Sequence, residues 1–464
     1  MKSAKFVLIG AGSSSFTAVL LRGLLGSQTW RGATVALVDV DAERLQIVER
    51  FARKVVAQER MDVQVQASTE RRDVLPGADC VTTTISVGGD EAWENDLRIP
   101  ARHGVIQPVG DTVGTGGMSR AFRHAPVLVD VARDMEDLCP AAILFNYTNP
   151  MTVNCRAVTR ETGVRCVGLC IGAELLRRDL CRIVGAQPSD TWLWAAGINH
   201  FVFAYRFLVG RKDAYPLLKA RLRQARGGQA PDLARLIAQY PGVCPRPEEP
   251  YGSENPFCAE LFESTGFYPG PGDTHVAEFL PHLFQSQEDQ EAYGLKLFDI
   301  ERKKRRTADF LEKFQRAAES DEPVNLDEMT AGGGSEEAQV LEILRAVAGD
   351  AREVFFVNVP NHGQIGNLPE DAVVEGPAVA TQDGLKPLVG GAIPEPIAGW
   401  TRRWLEWGDL VVDAALSGSR GKALRCLAAD PGCPGLSRAQ AMLEELLTAN
   451  GKWMKNFAQR EDDR

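Results

Sequence analysis

The chain has no apolar run approaching the roughly 20 residues that a membrane-crossing helix requires. It has no excess of positive charge either. Its 52 Lys and Arg stand against 62 Asp and Glu, and the net charge of −10 argues against a general role on nucleic acid or an anionic membrane surface. Its ten cysteines lack zinc-finger spacing, and no internal repeat marks a solenoid. The first residues run directly into an apolar segment, a pattern without an export signal that predicts a cytoplasmic protein with reduced thiols. What is there is an ordinary globular composition, 44% apolar and 25% charged, and 464 residues suffice for two substantial domains.

The first forty residues carry the strongest signal. Lys5-Phe6-Val7-Leu8-Ile9 leads into Gly10-Ala11-Gly12-Ser13-Ser14-Ser15-Phe16-Thr17, and a second apolar run, Ala33 to Val38, ends at Asp39. This reads as strand, glycine turn, helix and strand with an acid at the second strand's tip. Gly10 permits the tight turn, and Gly12 lets the backbone approach a pyrophosphate held by the amides of the next helix. Ser15 stands at the third fingerprint glycine. Asp39, 24 residues beyond it, falls where a carboxylate accepts hydrogen bonds from a ribose diol, and its charge would repel a 2′-phosphate. The expectation is an NAD site built from Gly10, Gly12, Ser13, Ser14, Ser15, Phe16 and Asp39.

Residues 1–195 alternate strands and helices, as a Rossmann-type doubly wound sheet does. Helices are expected over Ala42–Glu59 and from about Met118 to Leu138. Strands are expected over Ala78–Ile85, Ala141–Asn146 and Val164–Leu169. From about Trp192 the texture changes to a C-terminal α+β region, residues 196–464, expected to bind substrate and to mediate homo-oligomerisation. Gln224–Pro250 and Ala331–Glu337 read as loops, and Trp400–Leu416 and Arg438–Ala449 as amphipathic helices. Open α/β sheets bind ligands at the carboxyl ends of their strands, where Asn146, Asn149 and Cys170 fall.

Three constellations have both a functional and a plain structural reading. Asn146-Tyr147-Thr148-Asn149-Pro150-Met151 offers amides to a nicotinamide ribose or to sugar hydroxyls, or is simply an Asx turn before a helix. Cys170 and His200 supply a thiolate and an imidazole, half of a metal site, or are two packed core residues. Gly270-Pro271-Gly272-Asp273-Thr274-His275-Val276-Ala277-Glu278 offers Asp273 and His275 as acid or base candidates, or Asp273 as a helix cap with Glu278 facing solvent.

Together these segments resemble glycoside hydrolase family 4, the NAD-dependent glycosidases. The resemblance extends through His103-Gly104-Val105, Gly110-Asp111-Thr112-Val113-Gly114, Val167-Gly168-Leu169-Cys170, Gly197-Ile198-Asn199-His200, Val357-Asn358-Val359-Pro360-Asn361 and Asn367-Leu368-Pro369. It implies Cys170 and His200 as ligands of a divalent cation, Mn²⁺ in the first instance, with Asn149 and Asp111 as substrate contacts. It also implies an unusual reaction. The sugar is oxidised at C3, a base removes the acidified C2 proton, the glycosidic oxygen is eliminated, water adds, and C3 is reduced again, so NAD is regenerated. The loop around Asp273 makes that residue the expected base, with His275 and Tyr268 as alternatives.

Two departures bear on the substrate. Ile171 follows Cys170, where many members carry His or Asp, so a proton donor is missing there. Trp93 stands where the phosphoglycosidases carry a phosphate-binding arginine, which points to an anionic α-glycoside that is not phosphorylated, either a uronide or, as in the related NAD-dependent sulfoquinovosidases, a sulfoquinovoside. A plain sugar or hydroxy-acid dehydrogenase and a non-catalytic NAD sensor are the rival readings.

Overall fold

The computed structural model describes residues 4–12, 15–25, 29–244, 254–284, 286–330 and 335–458. Ser13 and Ser14 lie outside the described residues, as do 245–250 and 331–334 of the two expected loops.

One twisted 13-stranded sheet organises the protein. Its strands are β1 (Lys5–Ile9), β2 (Ala33–Val38), β3 (Val63–Ser68), β4 (Cys80–Thr83), β5 (Ile143–Asn146), β6 (Arg165–Gly168), β7 (Thr191–Ile198), β8 (Phe201–Val209), β9 (Lys212–Asp213), β10 (Tyr268–Gly270), β11 (Val354–Pro360), β12 (Val373–Thr381) and β13 (Gly384–Pro387). The first six are parallel in the order 3-2-1-4-5-6, the doubly wound arrangement expected of residues 1–195. The inner strands such as β1 and β2 are short and largely apolar because helices cover both faces, whereas the edge strand β3 alternates Val and Gln; two hydrophobic clusters fill the helix layers.

The sheet does not stop at β6. β11 and β12, from the last third of the chain, form an antiparallel hairpin seated between β6 and β7. Each flank is joined by a single residue pair, Asn358 to Gly168 and Glu375 to Gly197. Asn358 and Glu375 pair with each other and share a side-chain hydrogen bond of 3.2 Å. This row brings the ends of β6 and β7 to one level, so Cys170 and His200 follow it by two and three residues. Residue 195 lies inside β7, and the sheet continues unbroken across it.

Most expected elements are present with shifted ends. The helix expected from Met118 starts at Gly114. Its glycines suggest a loop in sequence, but a Cβ at Gly116 would lie 2.5 Å from the Gly110 carbonyl oxygen, so close packing selects them. The C-terminal helices span Ile397–Ser417 and Leu436–Asn450. The latter is tied to the Rossmann helices Gly89–Arg102 and Gly114–Leu138 by a buried network. Arg123 and Asp96 form a two-pronged ion pair at 3.0 and 2.7 Å, with Ser119 and Asn450 also donating to Asp96. No described helix is long and apolar enough to cross a membrane.

Candidate active site

At the first turn the geometry follows from the glycines. Gly10 has φ +95°, and the amides of Gly10 and Ala11 both donate to the Val38 carbonyl, locking the turn against β2. Gly12 N donates to Asp39 Oδ2 at 2.7 Å, and Asp41 N donates to Oδ1 at 2.9 Å. A Cβ on Gly12 would sit 2.7 Å from that Oδ2. Asp39 is therefore fixed at the tip of β2 by backbone amides while its remaining lone pairs stay available. The expected roles of Gly10, Gly12 and Asp39 fit this geometry. Phe16 is buried with its ring edge-on to Tyr147 at 4.9 Å, so its side chain belongs to the core. Ser15 opens the helix Ser15–Leu24.

Asn146 is bonded within the protein. Its Oδ1 accepts from Thr83 Oγ1 and Thr148 N, and its Nδ2 donates to the Thr148 carbonyl. The buried amide thus makes the Asx turn that was the structural one of its two readings.

Three ligand-type side chains from distant parts of the chain do converge. Asp111, His200 and His275 present one ligand atom each, all within 4.8 Å of one another. Asp111 sits in the turn before the helix Gly114–Leu138. His200 occupies the two-residue connection between β7 and β8, and His275 lies on the helix Asp273–Phe279. The connection is tight because Ile198 pairs directly with Phe201, and it forces His200 to φ +64°. A non-glycine residue there costs about 1–3 kcal/mol and persists where surrounding structure imposes it.

Thr112 sets the tautomer of His200. Its hydroxyl lies 2.6 Å from Asp111 Oδ1 and 2.8 Å from His200 Nδ1. With the hydroxyl proton donated to the carboxylate, Nδ1–H donates to Thr112 Oγ1, and Nε2 carries the lone pair. Burial, reinforced by His275, pushes the His200 pKa down to about 3, so the ring is a neutral donor at physiological pH. Burial likewise holds His275 below the usual imidazole range, although Asp111 opposes it. For Asp111 burial disfavours the charge, yet His200, Arg120, His275 and the Thr112 hydroxyl together hold its carboxyl below the usual range. A carboxylate and a neutral imidazole suit a divalent transition-metal ion, and His275 sets a second neutral imidazole beside them as a third donor or a base.

Asn149 Nδ2 donates to Asp111 Oδ2 at 3.0 Å, while its Oδ1 is buried without a partner. His275 Nδ1, both polar side-chain atoms of Asn199, Arg120 Nη1 and Glu278 Oε2 are likewise buried and unpartnered. Each such group costs about 1–3 kcal/mol in a closed protein interior, and so many on and beside these segments mark a place made for a polar ligand.

The remaining expected residues are not among these three clustered ligands. Cys170 is buried just past β6, where its Sγ accepts from Gly172 N at 3.3 Å, and it is not one of the three clustered ligands. The Asp273 carboxylate accepts from Phe257 N and Cys258 N at 2.9 and 2.8 Å, holding the start of the helix Pro256–Thr265. Tyr268 donates to Asp179 at 2.7 Å, and burial and that carboxylate raise its pKa well above the phenol range. Trp93 donates to the Val109 carbonyl and stacks on Phe298 at 4.6 Å. Glu278 does not face solvent: it is buried, accepting from Val109 N and Gly110 N at 2.6 and 2.7 Å, and burial raises its pKa to about 8. Arg120, Asn199 and Glu278 were not singled out as site residues from sequence. A lone arginine, asparagine or glutamate within an ordinary segment carries no spacing signal.

A doubly wound sheet with a dinucleotide-type turn and a buried carboxylate–imidazole cluster defines a ligand-binding α/β enzyme. The sequence profiles place it further. "Family 4 glycosyl hydrolase" matches residues 5–185, and "Family 4 glycosyl hydrolase C-terminal domain" matches residues 195–433. The chain belongs to this family and is a glycoside hydrolase. It is 28% identical to an alpha-galactosidase of Bacillus subtilis over 98% of this chain and 99% of that protein. It is 30% identical to an alpha-galacturonidase of the same organism, over 92% and 93%. In fold it matches a 6-phospho-alpha-glucosidase from gut microorganisms, solved in complex with NAD and Mn²⁺, with a TM-score of 0.78 at 20% identity over 97% of this chain and 99% of that one.

Proposed function

We propose that this chain is an NAD-dependent glycosidase that holds a divalent cation, Mn²⁺ in the first instance, and cleaves an anionic, non-phosphorylated α-glycoside. The observation that carries the reading is the convergence of Asp111, His200 and His275 with unpartnered polar groups around them. Residues 1–195 supply the cofactor turn through Gly10, Gly12 and Asp39. Residues 196–464 supply His200 and His275, and they carry the contacts of a homo-oligomer. When bound, NAD supplies reversible hydride acceptance and the cation supplies Lewis acidity.

The protein groups divide the remaining work. His200 Nε2 and Asp111 are the cation's donors, with Cys170 as the further ligand that the family resemblance implies. Thr112 and Asn149 orient them from behind. His275 is the acceptor of the sugar's C2 proton in place of Asp273, whose two oxygens are occupied by a helix terminus. A neutral imidazole with a buried, unpartnered Nδ1 is competent to take that proton.

The test is hydrolysis in heavy water with NAD⁺ and Mn²⁺ on a panel of p-nitrophenyl glycosides and anionic glycosides. Deuterium at C2 of the product is expected. Hydrolysis without it refutes the elimination route, and net accumulation of NADH would mark a dehydrogenase instead.

A further inference from the structure

The helix Gly114–Leu138 buries a guanidinium with no carboxylate bound to it. Arg120 is 8% exposed. Its Nε donates to the Asn149 carbonyl at 3.3 Å, its Nη1 has no partner, and among the described residues it enters no ion pair within 4 Å. The buried arginine one turn along, Arg123, is fully paired with Asp96, so the helix treats its two buried guanidiniums differently. The Asp111 carboxylate offsets part of the burial cost through space, but no carboxylate bonds the guanidinium, and an anion from outside the chain can supply that contact.

Its surroundings say what kind of anion. Arg120 Cζ lies 5.1 Å from the Trp93 ring centroid, and Lys303 Nζ lies 5.5 Å from the same ring. Lys303 is already paired with Asp90. The arginine expected at position 93 is thus absent, but a guanidinium reaches the Trp93 ring from another helix. The Asn149 residue that Arg120 touches also holds Asp111, so this cation stands one residue from the ligand cluster. A single positive charge that no carboxylate bonds, already partly balanced by Asp111, matches a monoanion better than a phosphate dianion.

We propose that Arg120 binds a singly charged carboxylate or sulfonate on C6 of the glycoside, with Trp93 as the surface that holds the guanidinium in place. This rests on the reading of the Asp111–His200–His275 cluster as a glycoside site.

The experiment compares kcat/KM of the full chain, with NAD⁺ and Mn²⁺, on p-nitrophenyl α-glucoside, α-galactoside, α-glucuronide, α-galacturonide, sulfoquinovoside and 6-phospho-α-glucoside. Wild type is expected to favour at least one carboxylate or sulfonate substrate over its neutral counterpart. Arg120→Gln should shrink that preference on the order of 100-fold, and Arg120→Lys should restore part of it. The identity of the best anion separates the uronate from the sulfonate source. Equal losses on anionic and neutral substrates overturn the assignment, as does a wild-type preference for neutral or 6-phospho substrates.

Calorimetric binding of D-glucuronate and sulfoquinovose, against D-glucose, separates this proposal from the reaction it rests on. Anion-selective binding lost in Arg120→Gln supports Arg120 even if no deuterium reaches C2. Deuterium at C2 without anion selectivity leaves the reaction standing and removes Arg120. If Arg120→Gln does not fold, as judged by its melting and NAD⁺ affinity, Arg120→Lys and the wild-type preference decide.

Discussion

Replacing Asp96 with Ala should be among the most damaging single changes outside the active site. The Asp96 and Arg123 side chains are both 0% exposed and bonded through two parallel contacts, with Ser119 and Asn450 sharing Asp96 Oδ1. Asp96→Ala deletes the only counter-charge bonded to Arg123 among the described residues and strands a buried guanidinium, a loss of about 3–5 kcal/mol. Unfolding entropy of about 2.1 cal/mol/K per residue gives roughly 1 kcal/mol/K over this chain, so the melting midpoint should fall by about 3–5 °C. The double variant Asp96→Leu/Arg123→Met removes both charges and keeps the volume filled, so it should recover more than half of that drop. Differential scanning calorimetry at neutral pH reads both. A drop below about 1 °C for Asp96→Ala, or a double variant less stable than the single one, would refute the claim that this pair is held together by mutual need.

Glu278→Gln should change the pH dependence of stability. The Glu278 pKa is raised by burial from the ordinary carboxylate range to about 8, so its stabilising contribution is complete below about pH 4.5 and lost as pH rises through 8. The variant should therefore gain melting temperature relative to wild type between pH 5 and 8.5, and a pH-independent difference would contradict this. Gly12→Ala puts a methyl 2.7 Å from Asp39 Oδ2 and should weaken NAD⁺ binding at least about 10-fold by fluorescence titration, with Asp39→Ala also admitting NADP⁺. Unchanged NAD⁺ affinity in both would remove this turn from the cofactor site. Chelator should abolish turnover, with Mn²⁺ restoring it in wild type and far less in His200→Ala or Cys170→Ser; full activity in chelator would exclude the cation. His275→Asn should lose turnover on the order of 100-fold, whereas Asp273→Asn should mainly destabilise the Pro256–Thr265 helix by about 1 kcal/mol, and the reverse pattern would return the base to Asp273.

The Rossmann half was legible because its signals are local: a glycine turn, an apolar strand and an acid at a fixed interval all lie within forty residues. His200 was legible as half of a pair, and His275 and Asp111 each stood in a noted segment. Their convergence was not readable, since 164 residues separate Asp111 from His275 and no periodicity connects them. Asn146 and Asp273 both bond to groups of the protein itself, while burial raises the Asp273 pKa as a base would require. Carboxylates and amides at strand and helix ends serve backbone groups as readily as ligands, and only the bonds they make distinguish the two uses. Glu278 faced solvent in one of the two readings left open for its segment, and a helix of seven residues carries too few positions to define a buried face from sequence.

The hairpin seated between β6 and β7 has a consequence for how the protein is made. Gly168 leaves the ribosome roughly 190 residues ahead of its partner Asn358, about 10–40 s at ordinary rates of synthesis. Throughout that interval the outer edge of β6 and the facing edge of β7 have no neighbour, although both belong to the interior of the finished sheet. A chain broken off before Val354 would retain the whole cofactor turn, yet β6 and β7 would have no hairpin between them and two bare edges to offer to other chains. The candidate site is thus completed by nearly the last strands to emerge, and the growing chain has a long period in which those two edges are open to other chains.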